Sequence, residues 1–306
     1  MKVQFLMAGM MALAAAACGS GEFAEEQVTS EDALRAGGEI LALGDSITYG
    51  WNPYLTPVGQ PTARYRSWVE ELPGGAHVVN AACPGEASTS FFDSAAPDNN
   101  CRPNAAGDGP HYKRWLKTPW NTTTQAEFMA RYLGQFQPKL VVLTLGGNDL
   151  FLIQEAGVWT LPSGASRYKS SMAEIFSRIA RTGYDGVVAV PNVYALDYAR
   201  WDEWAGIGMI NARLASAASD ANQAFAAQGK ALRIVVADVH GAFKARANGG
   251  SSCAAGLLIP TPDKPGECDV HPSSEGAKLM AKTVPDASAA AGFRREALSG
   301  GSDARL

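Results

Sequence analysis

Five short apolar runs set the narrowest limits on what this chain can fold into. They are Ile40–Leu43, His77–Asn80, Leu140–Leu145, Val187–Val190 and Ile234–Ala237. All are near-continuous rather than alternating, and the later three are rich in β-branched residues. Strands buried on both faces of a parallel sheet have this appearance. Helix-like stretches lie between them, at 62–71, 124–135, 167–182 and 209–228. A last amphipathic helix opens at Ser273 or Ser274, with serine as its cap, and runs to about Val284, where Pro285 is expected to stop it. Strand and helix thus alternate along the chain, which implies a three-layer, doubly wound α/β domain. No repeat and no second-domain boundary interrupts the pattern.

The 46% hydrophobic content of the 306 residues suits a globular core and excludes disorder along the whole chain. A net charge of −4, with 26 basic residues and no basic run, argues against nucleic acid as a partner. The amino terminus is different in kind. Residues 1–18 carry one lysine, an apolar run and then small residues ending in Ala16-Ala17-Cys18. That is the shape of a secretory signal and too short for a comfortable membrane span. The end of the run resembles a bacterial lipoprotein processing site, in which Cys18 becomes the lipidated first residue. Ala15 departs from the leucine usual there. On this reading 1–18 are a signal, 19–37 a polar tether, 38–285 the folded domain and 286–306 a polar tail. The protein would be secreted or held at the cell envelope, touching membrane only through Cys18.

Two long connections, 85–122 and 246–268, interrupt the strand–helix alternation. Loops of that length in a compact domain are functional or pinned by cross-links. With Cys18 set aside, four cysteines allow three pairings. The local one is expected, because Cys83 and Cys101 bracket the first loop and Cys253 and Cys268 the second. Each bridge would contribute on the order of 3 kcal/mol in the chain-entropy model and would stiffen backbone beside candidate catalytic groups.

Those groups follow the strands. The first strand ends in Gly44-Asp45-Ser46-Ile47-Thr48, where open α/β sheets place ligands. After the second comes Asn80-Ala81-Ala82-Cys83-Pro84-Gly85-Glu86, whose glycine permits close backbone approach. The third ends in Gly146-Gly147-Asn148-Asp149, and Asp269-Val270-His271-Pro272 precedes the last helix. Each motif alone reads equally as a cap or turn. Four in this order resemble the SGNH, or GDSL, hydrolase family over roughly residues 38–285. The resemblance implies a flavodoxin-like five-stranded parallel sheet and a serine esterase or lipase without cofactor. Ser46 matches the nucleophile and His271 the general base. The N–H groups of Ser46 and Gly85 and the side-chain amide of Asn148 match the oxyanion hole. No G-x-S-x-G is present, so the nucleophile elbow of the α/β-hydrolases is absent.

The acid partner is less direct. Asp269 stands two residues before the histidine, where many members have aspartate three before; that position here is Cys268. Either Asp269 orients His271, or a backbone carbonyl does and Asp269 only caps the helix; Glu267 is a more distant candidate. Asp238-Val239-His240 repeats the D-V-H string without the following Pro-Ser, and His240 reads as structural or as a rim residue. His77 and His111 stand alone. No cluster of the kind zinc requires is visible, and no metal is expected. Asp45, Thr48 and Asp149 are expected to hold turns through Asx-type hydrogen bonds.

Aromatic residues gather in the connections: Trp51 and Tyr54, Trp115 and Trp120, then Tyr194, Tyr198, Trp201 and Trp204. They offer an apolar acyl rim, a sugar platform or plain loop packing. A monomeric hydrolase of short-to-medium acyl esters is the leading reading. Removal of O-acetyl groups from a polysaccharide, acyl transfer to another acceptor, and a non-catalytic glycan- or lipid-binding lipoprotein are the alternatives.

Overall fold

The computed structural model describes residues 39–55, 66–72, 76–103 and 111–290. The signal, Cys18, the tether and residues 291–306 lie outside the described residues. So do the side chains of Trp201 and Trp204. Five parallel strands form the central sheet: β1 (Ile40–Gly44), β2 (Val78–Asn80), β3 (Leu140–Thr144), β4 (Val187–Pro191) and β5 (Arg233–Ala237). Their order is β2-β1-β3-β4-β5, with Ile40 paired to Val78 on one side and to Leu140 on the other. Every residue of β1, β3 and β4 is buried, as near-continuous apolar runs require. Side chains alternate between faces. Leu41, Leu43, Val141, Leu143 and Val188 thus join one core cluster, while Ile40, Ala42, Leu140, Val142 and Ala189 join another.

Helices cover both faces. On the first lie α2 (Gln125–Gln135), α4 (Leu161–Arg181) and α5 (Trp201–Ala227), contributing Met129, Tyr132, Met172, Phe176 and Leu214. On the second lie α6 (Val239–Arg246) and α7 (Ser274–Ala290), with Phe243, Met280 and Val284, together with Trp68 of a 3-10 turn at Trp68–Glu71. Two short helices start at the strand ends that concern function: α1 (Ser46–Tyr49) and α3 (Gly147–Glu155). Among the described residues no helix is long and apolar enough to cross a membrane.

Four expectations change. Of the helix expected at 62–71, the described part holds only the 3-10 turn. Helix α5 begins at 201 rather than 209, its start hidden by Gly206 and Gly208, which lower helix propensity. Helix α4 begins at 161 because Pro162 is tolerated in a first turn, where its missing N–H is not needed. Pro285 does not stop α7. It removes one backbone hydrogen bond, but Val284, Pro285 and Ser288 are all buried, and Ser288 Oγ donates to Val284 O at 2.8 Å. Packing of this last stretch outweighs the lost bond, so residues 286–290 continue the helix rather than begin a tail.

The segment before α7 is also more ordered than a loop. β6 (Leu258–Pro260) and β7 (Cys268–Pro272) form an antiparallel pair. Disulfides join Cys83 to Cys101 and Cys253 to Cys268, the local pairing suggested by the loops.

Candidate active site

All five parallel strands end on the same edge of the sheet. The connections from β1 and β3 leave toward opposite faces, which opens the crevice where doubly wound sheets hold ligands. Ser46 is the first residue of α1, directly after β1. Asp45 caps that helix, its Oδ1 accepting from Ile47 N at 3.0 Å. Gly44 is obligatory in this corner. Its φ is 114°, and a Cβ there would stand 2.0 Å from the carbonyl oxygen of Thr144. The buried Gln125 clamps the same peptide, accepting from Gly44 N at 2.5 Å and donating to Gly44 O at 3.0 Å.

Gly85 lies in the bend after β2 with φ 85°. A Cβ would meet Asn99 O at 2.0 Å, so only glycine lets the loop fold back on itself. The Cys83–Cys101 bridge closes that loop, and Asn99 N donates to Gly85 O at 2.8 Å. Asn148 sits in the first turn of α3. Its Nδ2 donates to Glu86 O at 3.0 Å, and its Oδ1 accepts from Asn99 Nδ2 at 2.8 Å. A backbone carbonyl can only accept, so the amide nitrogen must face Glu86. The second N–H of the same amide remains for the cleft.

His271 and Asp269 share β7. Residues i and i+2 of a strand point to the same face. A separation of two therefore brings the carboxylate to the ring, whereas the residue three before, Cys268, is taken by its disulfide. Asp269 Oδ1 accepts from His271 N at 3.0 Å and pairs with His271 Nδ1. Burial pushes the Asp269 carboxyl upward, but the hydrogen bonds and charge of His271 outweigh it and hold the carboxyl below its ordinary value. Asp269 does not cap α7; the hydroxyl of Ser273 does, accepting from Gly276 N at 3.2 Å. Glu267 is turned away and pairs with Lys264 at 3.3 Å. His271 Nε2 is buried and has no hydrogen-bond partner among the described residues.

Ser46, Gly85, Asn148 and His271 line one cleft of about 580 Å³, together with Trp51, Asn99, Asn100 and Tyr112. The sequence pattern of the GDSL-like lipase/acylhydrolase family matches residues 42–279. The chain belongs to that family. It is a carboxylic ester hydrolase with the fold of GDSL enzymes. Solved structures similar to this GDSL hydrolase include two enzymes. One is LAE5, an alpha/beta hydrolase enzyme from the metagenome of Lake Arreo, Spain. It is 17% identical, with a TM-score of 0.52 over 83% of this chain and 96% of that one. The other is a variant of Axe2, an acetyl xylan esterase from Geobacillus stearothermophilus. It is 15% identical, with a TM-score of 0.51 over 84% of this chain and 96% of that one. No curated protein sequence matches the chain.

Behind the cleft of this GDSL enzyme lies a buried polar network. The Glu86 carboxylate accepts from Ser90 Oγ at 2.6 Å and from Gln125 Nε2 at 3.3 Å. Arg102 reaches Glu86 at 3.3 Å and Asp98 at 2.8 Å. Burial raises the Glu86 carboxyl to about 7 despite the pull of Arg102. Glu86, Asp98 and Cys101 lie close enough to suggest a metal. The Cys101 sulfur is spent in its disulfide, however, and the Arg102 guanidinium already supplies the positive charge. Burial likewise raises Asp45 to about 7, against the N–H of Ile47 and the hydroxyl of Thr144.

Two of the three turn-holding residues act at longer range than expected. Asp149 accepts from Ser88 N at 3.1 Å and Ser88 Oγ at 2.6 Å, tying α3 to the Gly85 loop. Thr48 bonds to the hydroxyl of Thr144 across the β1–β3 pair. Asp45 alone holds its own turn. The second D-V-H string is structural: His240 Nδ1 lies 3.1 Å from Val193 O, and its ring stands edge-on to Tyr198. Two of the loop aromatics among the described residues pack against the body of the fold. Trp120 Nε1 donates to Ala81 O at 3.0 Å, and Tyr194 stacks on Phe243 at 4.4 Å. Trp51 and Tyr112, 4.8 Å apart, face the cleft.

Asn99 was not legible as a site residue. It lies in a loop without periodicity, 49 positions from the amide it contacts. The only signal was the loop's cysteine bracket. Asn99→Ala is expected to lower kcat about fivefold with little change in KM, because one such hydrogen bond contributes about 1 kcal/mol. Steady-state kinetics on p-nitrophenyl butyrate would show it; an unchanged kcat would rule out a part for Asn99 in holding Asn148.

Proposed function

We propose that this hydrolase cleaves its ester through an acyl-serine intermediate formed on Ser46. The observation that carries the reading is the shared cleft. Ser46, the unpartnered Nε2 of His271, the Gly85 backbone and the Asn148 amide all line it. His271 Nε2 takes the Ser46 proton as Oγ bonds to the carbonyl carbon. The charge placed on the carbonyl oxygen is met by the N–H groups of Ser46 and Gly85 and by the free N–H of Asn148. Among the described residues, neither of those two backbone N–H groups is engaged by another acceptor. His271 then protonates the leaving alkoxide as its bond to carbon breaks. Water, deprotonated by the same nitrogen, releases the acid and restores Ser46. Asp269 holds the imidazole in the tautomer this requires.

A second reading, removal of O-acetyl groups from a polysaccharide, is favoured by the Trp51–Tyr112 pair beside Asn99 and Asn100. Rings and amides together suit a sugar. It is also the activity named for the similar Axe2 structure. The cell envelope is the proposed location, with Cys18 lipidated. The pattern of residues 1–18 and two disulfides, which persist in oxidising compartments, support that.

The test is to quench a reaction with p-nitrophenyl butyrate in its burst phase and map the adduct by mass spectrometry. One butyryl group is expected on the Ser46 peptide. A burst with the adduct elsewhere, or turnover without any burst or adduct in the Ser46→Ala variant at wild-type rate, would sink the proposal.

A further inference from the structure

Ser46 lies at the junction of two cavities. A wide cleft of about 580 Å³, bordered by polar and apolar side chains alike, opens on one side. On the other is a limb of about 170 Å³, lined chiefly by Leu145, Leu150, Phe151, Val193, Leu196 and Ile207. Ser46, Asn148, Phe151, Gln154 and Val270 border both cavities, whereas His271 and Gly85 border the cleft alone.

That asymmetry orients an ester. The carbonyl carbon must sit at Ser46, with its oxygen at the Asn148 amide. The leaving oxygen must receive its proton from His271 Nε2, and His271 is on the cleft side. The alcohol is thereby placed in the wide cleft, and the apolar limb, which Ser46 borders and His271 does not, is left for the acyl tail. We propose that this limb is the acyl subsite and that it selects linear tails of about four to eight carbons; a buried apolar cavity of about 150 Å³ accommodates a six-carbon ring. The inference rests on the acyl-serine reading above and goes beyond it by naming both halves of the substrate. An acetyl group would leave most of the limb unfilled, and a long fatty acyl chain would overrun it.

The size of the limb depends on a helix that brings no catalytic group. Gly206 of α5 lines it, and a Cβ there would meet only Leu150 Cδ2, at 3.6 Å. The position accepts a side chain without moving backbone, and any larger residue projects into space the tail needs. Phe151 of α3, 41% exposed, stands between limb and cleft. Its truncation lengthens the limb without emptying the core.

The experiment is a p-nitrophenyl ester series from acetate to dodecanoate, read as kcat/KM for wild type, Gly206→Leu and Phe151→Ala. Ser46→Ala is run beside them. Wild type is expected to peak between butyrate and octanoate. Gly206→Leu should lower the hexanoate-to-acetate ratio at least about tenfold, since one misfitted methylene changes selection by about 10- to 200-fold. Phe151→Ala should move the peak toward longer tails. A wild-type peak at acetate or dodecanoate would overturn the assignment. So would an unchanged ratio in Gly206→Leu together with an unmoved peak in Phe151→Ala. Both failures leave hydrolysis dependent on Ser46. Failure of the underlying reading is a different result, with Ser46→Ala as active as wild type.

Discussion

Ser46→Ala and His271→Ala are each expected to lower kcat on p-nitrophenyl butyrate by about 10⁴- to 10⁶-fold, and the double variant by no more than the worse single one. Nucleophile and base act as one unit, and in a serine protease loss of either costs nearly as much as loss of both. What survives comes from the oxyanion donors and from substrate binding. The structure supplies the control. His240 follows the same D-V string but sets its Nδ1 against Val193 O at 3.1 Å and its ring against Tyr198. His240→Ala should keep wild-type kcat and lose only about 1 kcal/mol of stability. Turnover abolished in folded His240→Ala but kept in His271→Ala would reverse the assignment of the base.

Asp269→Asn is expected to lower kcat about 10³- to 10⁴-fold while the protein folds normally. The amide keeps the shape of the carboxylate but not its charge, so it neither holds the proton on Nδ1 nor stabilises the imidazolium. The expectation rests on Asp269 Oδ1, which meets both the backbone N–H and the ring of His271. If a backbone carbonyl oriented the ring instead, the loss would stay within about tenfold, the worth of one ordinary hydrogen bond. Kinetics of Asp269→Asn beside Asp269→Ala separate the two cases. Circular dichroism of both variants would check that the fold as a whole is kept.

Much of this molecule is legible in one dimension because its reporters are local. A strand buried on both faces must be apolar along its length, and β1, β3 and β4 are. A residue at a strand's carboxyl end faces the crevice of a doubly wound sheet, which is why Ser46 and Asn148 stand out. Helices α3 and α6 did not stand out, because each is short and mixes glycine or polar residues with its apolar positions. The β7 strand was equally hidden. Five residues between prolines and glycines look like loop until β6 pairs with them.

The amino-acid sequence by itself determined the layers around the sheet and the chemistry at its strand ends, and it favoured the local pairing of four cysteines. These follow from residue type and from separations along the chain. Tertiary structure alone decided which groups meet. Asn99 holds the Asn148 amide, Arg102 pairs with Glu86 behind the Gly85 loop, and Gly206 leaves an apolar limb open beside Ser46. The first and last join segments tens of residues apart, and the second crosses a loop without periodicity. Such contacts depend on how helices lie across the sheet, a product of the whole core that no local pattern records.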